Sequence, residues 1–270
     1  MERKLYILAF ILFIFSCKKD REIYRDASDV KLQFVKTKAN GADIVQEENI
    51  YNESGSIKTR ISYKDFTAGL VFSKTTYTYE KDKLIQIDEQ VDFSSSSFGS
   101  NYQYSRSAFE YSGNRIIQRN HYLKTGDDYE LRSFTVFSYD DLGHPVKQTR
   151  YSADGALFGY TIFTYEGNNV VLSEEYYRNR FNPDPVLSFK HSYRYDNKRN
   201  PYRKVYHGIE NIPFSVNENN IIETASVNYN NDPSSAQGVN STSTTTYVYN
   251  SWGYPSLMNE NGNEFILEYK

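Results

Sequence analysis

One cysteine, one tryptophan, two methionines and seven prolines stand among 270 residues that carry 26 tyrosines and 17 phenylalanines. The lone cysteine, Cys17, makes no intramolecular disulfide and excludes a multi-cysteine metal or redox motif. No block of one charge sign occurs: 31 Lys and Arg face 34 Asp and Glu, a formal net charge of −3, with both signs scattered along the chain. Phosphate binding needs a positive face or stripe, so a nucleic-acid role has no support. Long apolar runs are missing too, apart from Leu5 to Phe15, which is too short for the roughly 20 residues a bilayer-spanning helix needs. With 39% hydrophobic and 24% charged residues the chain is neither a polytopic membrane protein nor a disordered tail. What is abundant, Tyr and Phe, favours pleated sheet.

The apolar run follows a short basic start, Met1-Glu2-Arg3-Lys4, and ends at Ser16-Cys17. Basic start, short apolar core and small residue describe a secretory signal. Ile14-Phe15-Ser16-Cys17 resembles the lipobox of bacterial lipoproteins, in which the cysteine thiol is acylated and becomes the new N-terminus. That resemblance implies a signal peptide over 1–16, an acylated Cys17 with a charged tether over 17–29, and a single domain over 30–270. Several acyl chains anchor stably where one is marginal. A plain signal peptide and an N-terminal anchor helix are the alternatives. The expected location is the outer membrane, lipid-anchored, on its periplasmic face or at the cell surface; Lys18-Lys19-Asp20-Arg21-Glu22 loosely resembles the export tags of surface lipoproteins in Bacteroidetes.

The chain repeats itself. An aromatic residue, any residue, Tyr and a polar turn recur at Tyr77-Thr78-Tyr79, Phe109-Glu110-Tyr111, Phe137-Ser138-Tyr139, Phe163-Thr164-Tyr165, Tyr193-Arg194-Tyr195 and Tyr247-Val248-Tyr249. Tyr51 opens the series in a weaker copy and Tyr269 closes it. Spacings are near 28 residues except between Tyr195 and Tyr249, where a degenerate unit around Phe214-Ser215-Val216-Asn217 is expected to fill the gap. Turn residues follow the second Tyr, as in Gly113-Asn114 and Gly167-Asn168, and recur half a period later, so each unit reads as two strands. The expected fold is all-β, an antiparallel up-and-down meander of 14 to 16 strands in β-hairpin repeats, curled or closed into a large barrel-like sheet. Strand parity sets Phe189, His191, Tyr193 and Tyr195 on one face and Lys190, Ser192 and Arg194 on the other. A lipid-spanning barrel is disfavoured, since its outer band wants Leu, Val and Phe with Tyr confined to girdles. The second Tyr of each unit is expected to form a structural ladder along the sheet.

The units resemble the YD repeats of the RHS-type family, best at Phe137-Ser138-Tyr139-Asp140-Asp141-Leu142-Gly143-His144-Pro145, and the C-terminal copies resemble YD-repeat, RHS-like lipoproteins of Bacteroidetes. The resemblance covers roughly residues 45 to 270 and implies architecture more than activity. No toxin-like cargo segment accompanies it.

Four histidines, His121, His144, His191 and His207, are dispersed without metal-site spacing, and no nucleophile elbow, zinc-protease helix, phosphate loop or dinucleotide fingerprint occurs. No catalytic residue, metal or cofactor is therefore assigned, and the chain is not expected to be an enzyme. Aromatic residues outside the repeat positions, Trp252, Tyr254, Tyr202 and Phe181, are the candidate ligand contacts. The polar stretches 92–105 and 230–243 read as extended loops. Together these features point to a non-catalytic binding or structural module of the cell envelope, held to the membrane by its lipid, with an envelope protein or a glycan as partner. Two other readings stay open: an accessory glycan-binding lipoprotein, and a hydrolase whose dispersed carboxylates meet only in the fold.

Overall fold

A computed structural model describes residues 30–39, 41–93, 102–178, 183–206, 209–229 and 239–270. The signal segment, Cys17, the tether, Phe181 and His207 lie outside the described residues. Sixteen strands follow in order: β1 Leu32–Ala39, β2 Ala42–Tyr51, β3 Ile57–Asp65, β4 Leu70–Glu80, β5 Lys83–Asp92, β6 Tyr102–Ser112, β7 Arg115–Thr125 and β8 Asp128–Tyr139. They continue as β9 Pro145–Ser152, β10 Leu157–Glu166, β11 Asn169–Tyr177, β12 Val186–Arg199, β13 Asn219–Asn228, β14 Val239–Tyr249, β15 Pro255–Glu260 and β16 Asn263–Tyr269. Each pairs antiparallel with the next, and β16 pairs with β1, so the meander closes into a barrel without free edges. The all-β up-and-down barrel expected from the repeat is thus realised at the upper end of the strand count.

The repeat has a local physical cause at one rim, where the hairpin turns follow the second Tyr. In three of these turns the residue after Tyr is Asn or Asp, whose side-chain oxygen accepts a backbone N–H four residues on: Asn52 from Ser56 at 2.9 Å, Asp140 from His144 at 2.8 Å and Asn250 from Tyr254 at 3.1 Å. The glycine three residues after that Asx takes the left-handed backbone, as at Gly143 with φ 91°.

The preceding Tyr sits at a register slip of one residue in all seven hairpins, from Ile50/Tyr51 to Val248/Tyr249, because the partner strand carries an extra residue. Ile117, between Ile116 paired with Tyr111 and Gln118 paired with Glu110, is one of these. The bulge turns consecutive apolar residues to opposite faces: Ile116 is 7% exposed and Ile117 38%. Bulges sharpen local twist, and repeating one in each of these seven pairs bends the sheet steadily toward closure.

Inside the rim the hydroxyls of six tyrosines of the series reach across one hairpin. Tyr51, Tyr111, Tyr139, Tyr165 and Tyr269 donate to the carbonyls of Leu32, Leu84, Ile116, Pro145 and Pro255 at 2.6–3.1 Å, and Tyr195 donates to Val170. Each acceptor is the residue paired with the previous Tyr of the series; Leu32, paired with Tyr269, accepts from Tyr51 and closes the ring of bonds. In β14 the role shifts by two, Tyr247 donating to Ile221 while Tyr249 donates to Asp196.

The outer wall is wet. Directly opposed charges pair across neighbouring strands at Asp88–Arg106, 2.8 Å, Glu174–Lys190, 3.4 Å, and Glu223–Arg194, 3.2 Å, with Lys36–Glu268 at 2.5 Å beside the β1–β16 seam. A lipid-facing Arg or Lys near mid-bilayer costs about 2–4 kcal/mol, and these pairs bring such charges to the outer face. Aromatic pairs interrupt it on β8 to β11, where Phe134 stacks on Tyr151 at 4.9 Å and Tyr160 on Tyr176 at 4.6 Å. In β8 they set Phe134 on the face opposite Phe137 and Tyr139.

Candidate functional site

Sixteen strands spaced about 4.8 Å apart and tilted near 40° enclose a circle roughly 30 Å across, more than wall side chains alone fill. The chain supplies the filling itself. Between β12 and β13, where a degenerate hairpin unit was expected, the described residues of 200–218 form no strand and fold into the barrel as a plug, which is a correction to the repeat count. The long gap between Tyr195 and Tyr249 holds this plug in place of an extra unit.

The plug opens with a 3₁₀ turn, Pro201–Lys204, capped by Asn200, whose side-chain oxygen accepts from the Tyr202 N–H at 3.0 Å and whose amide donates to the carbonyls of Phe214 and Asn217. Val205, fully buried, and Ile209 join the wall's apolar core with Leu32, Ile57, Tyr77 and Phe109. Asn217, fully buried, fixes the far end: its side-chain oxygen accepts from Val170 N–H at 2.8 Å and its amide donates to the Tyr195 hydroxyl at 2.6 Å. The plug therefore hangs on the tyrosine ring and covers that rim.

Lumen-facing side chains form layers. At the plugged rim stand the ladder tyrosines; next come Tyr77, Phe109, Phe137 and Phe163, each 4–8% exposed. Beyond them the lining turns polar in opposed pairs: Thr75 with Glu89, Ser107 with His121, Thr135 with Arg150, Thr161 with Glu175. His191 bonds Ser226 at 2.7 Å in the same layer.

Besides an open cavity of about 640 Å³ at the rim, lined by Arg203, Ile209, Ser215 and Val216 of the plug and by Tyr111 and Tyr139 of the wall, two cavities lie between plug and wall. One, about 250 Å³, is bounded by Tyr202, Tyr206 and Phe214 of the plug and by Glu47, Tyr247 and Glu260 of the wall. Burial raises the carboxyl of Glu47 above the usual carboxylate range, against the opposing field of Arg60 and a hydrogen bond from Asn49. The other, about 240 Å³, lies among Arg60, Glu89, Ser107, Arg119 and His121 of the wall and Glu210 of the plug. Arg60 lays its guanidinium on the Tyr206 ring at 4.7 Å. Burial lowers the pKa of Arg119, which Glu210 counters and Arg150 reinforces, and burial likewise lowers that of His121. Among the described residues no group of three or more His, Cys, Asp or Glu is arranged to hold a metal ion.

The aromatic candidates from the sequence do not form one surface. Trp252, 36% exposed, and Tyr254, 5% exposed and packed on the Tyr269 ring at 5.5 Å, share the β14–β15 turn at the plugged rim. Tyr202 is inside the barrel, bounding the first cavity, with its ring edge-on to Phe214 at 6.4 Å. The lumen residues Glu47, Arg60, Glu89, Arg119 and Glu210 were not among the sequence candidates. For two of the wall residues a signal existed in plain alternation, Glu47 sharing parity with the buried Val45 and Glu89 with the buried Ile87, whereas a bulge separates Arg60 from Ile57 and Arg119 from Ile116.

No protein-family model matches the chain, and no curated protein matches it. Among solved structures the chain is similar to a porin-like protein from Bacteroides uniformis, with TM-score 0.47 and 10% identity over 87% of this chain and 96% of that chain. A porin-like protein from Bacteroides vulgatus gives TM-score 0.42 and 12% identity over 90% of this chain and 99% of that chain.

Proposed function

We propose that the protein is a lipid-anchored, non-catalytic binding module of the cell envelope, a water-surrounded barrel that receives its ligand in the lumen. One observation carries the reading: the wall is charged outside and polar within, and the plug stands at the rim from which the N-terminus leaves. Val30 and Lys31 precede β1 at that rim, where Lys31 and Lys270 exchange backbone hydrogen bonds. A tether from acylated Cys17 attaches there, so the plugged end faces the membrane and the polar lumen faces away from it. Substitution Cys17→Ser tests both halves. The chain should move from the membrane to the aqueous fraction and stay dispersed without detergent; continued membrane association refutes the anchor, and dependence on detergent refutes the water-facing wall.

A second reading, hydrolysis, is favoured by Glu47 and Glu260 bounding one cavity, with Glu47 shifted toward its protonated form as a general acid requires. Turnover of chromogenic glycosides or esters that disappears with Glu47→Gln would establish it; no turnover leaves the binding module.

A further inference from the structure

We propose that the cavity between Arg60, Arg119 and Glu210 is a binding site for a small polyhydroxylated carboxylate, a sugar acid of monosaccharide size. This deepens the reading of the barrel as a binding module and is independent of its anchor.

The first ground is charge that the protein leaves undercompensated. Arg119, on β7, is opposed across the sheet by Phe109 on one side and Thr135 on the other, so neither direct neighbour is acidic. It makes no ion pair within 4.0 Å with the described residues. Its charged form is disfavoured by burial and by the guanidinium of Arg150, and Glu210 offsets this only in part. Arg60 faces the same cavity from β3; against burial, Tyr77, Tyr206, Glu47 and Glu210 hold its charge, and its deficit is the buried Nη1, which has no hydrogen-bond partner among the described residues. A guanidinium presents five donors suited to bidentate carboxylate, and a buried donor left unmade is costly. An anion seated between the two arginines answers both deficits.

The second ground is the rest of the lining. Ser107 and Thr75 supply hydroxyls, and Glu89 supplies an acceptor on the adjacent strand. His121, with burial holding its pKa down, is neutral near pH 7 and offers one donor and one acceptor. Acceptors suit ligand hydroxyls and repel a bare polyanion, which separates a sugar acid from inorganic phosphate. The cavity of about 240 Å³ sets the size. Glu210 belongs to the plug and already presents a carboxylate to these arginines, so it acts as an internal competitor.

Isothermal titration of the full chain, purified in detergent micelles, with D-glucuronate, D-glucose and inorganic phosphate tests the assignment. Glucuronate should bind at least tenfold tighter than either of the others. Arg119→Gln should weaken glucuronate at least tenfold, and Glu210→Gln should tighten it severalfold by removing the competitor. Thermal unfolding of each variant identifies one that fails to fold, and Arg60→Lys, which keeps the charge and loses the fork, serves as a second variant expected to weaken binding. The proposal is overturned if glucuronate gives no heat, if glucose or phosphate binds as well, or if folded Arg119→Gln and Arg60→Lys bind glucuronate unchanged. A protein that stays membrane-bound as Cys17→Ser fails the anchor and leaves this titration unaffected.

Discussion

Removing one hydroxyl from the tyrosine ring isolates what the repeat is for. In Tyr111→Phe the aromatic ring stays, with Lys83 still over its face at 5.2 Å, but the bond of 2.8 Å to the Leu84 carbonyl is lost. Leu84 is fully buried, so water does not replace that donor. A net hydrogen bond is worth about 1 kcal/mol, rising to about 2 when a buried acceptor loses its partner. Unfolding entropy near 2.1 cal/mol/K per residue over a domain of roughly 240 residues converts each kcal/mol into a Tm change of about 2 °C. The expected loss is therefore about 2–4 °C, read by circular dichroism or calorimetry. Tyr102→Phe is the control: Tyr102 is 49% exposed and outside the ladder, and its change should lie within about 0.5 kcal/mol. Tyr139→Phe should repeat the Tyr111→Phe result, because its hydroxyl reaches Ile116 at 2.6 Å in the same way. If Tyr111→Phe leaves Tm unchanged, or Tyr102→Phe lowers it equally, the ring of hydroxyl bonds does not hold the rim together.

Gly159→Ala should destabilise by about 1–3 kcal/mol or prevent folding, since a Cβ there would stand 2.2 Å from the Tyr176 carbonyl oxygen; wild-type Tm would mean that β10 and β11 sit farther apart. Asn217→Ala strips Val170 N–H of its acceptor and Tyr195 of a donor, costing about 2–3 kcal/mol and exposing the segment 200–218 to proteolysis; unchanged protection would show that the plug is held elsewhere. Burial pushes the phenols of Tyr139 and Tyr177 up to about 12, from 10.0 in the free side chain, with Glu175 adding to the shift at Tyr177. The raised folded-state value favours the neutral phenol, so this stability is complete below pH 10 and is lost as pH climbs from 10 through 12. A melting series across that window should show falling Tm with further phenolate absorbance appearing on unfolding; ionisation of every tyrosine in the folded protein near pH 10 would contradict it.

The barrel was legible because its signal is redundant. Six tyrosines at near-constant spacing, each followed by turn residues, specify antiparallel hairpins whatever happens in any one of them, and closure follows from strand number and accumulated twist. The bulges were legible only in part. Leu84-Ile85, Ile116-Ile117, Val170-Val171 and Ile221-Ile222 break alternation with two apolar residues in a row, which read locally as extra hydrophobicity and in the fold as one residue in and one out. The plug was misread for a related reason: Phe214-Ser215-Val216-Asn217 imitates the repeat in composition, but its partners are the cap residue Asn200 and the Val170 N–H, forty-seven residues from Asn217 in sequence. A period carries no record of such contacts.

The lumen escaped the sequence because a large barrel reverses the usual sense of its faces. In a small sandwich the inward parity is apolar throughout, so polar residues sharing parity with aromatics look like noise. Here Arg119 shares parity with the buried Ile116 only after the bulge is counted, and Glu89 shares it with Ile87 directly. The aromatic half of each strand lies against the plug, which gives it something dry to pack on; the other half has no plug beside it and keeps Ser, Thr, Glu, Arg and His. A barrel of this width cannot be filled from its walls, so polarity inside is the expected state wherever the plug does not reach. The same reasoning locates the candidate site at the boundary of the two regimes, where Glu210 brings the plug's last charge up to the first guanidiniums of the wall. There low dielectric and convergent polar groups coincide, and a ligand's charge counts for more than it would at the rim.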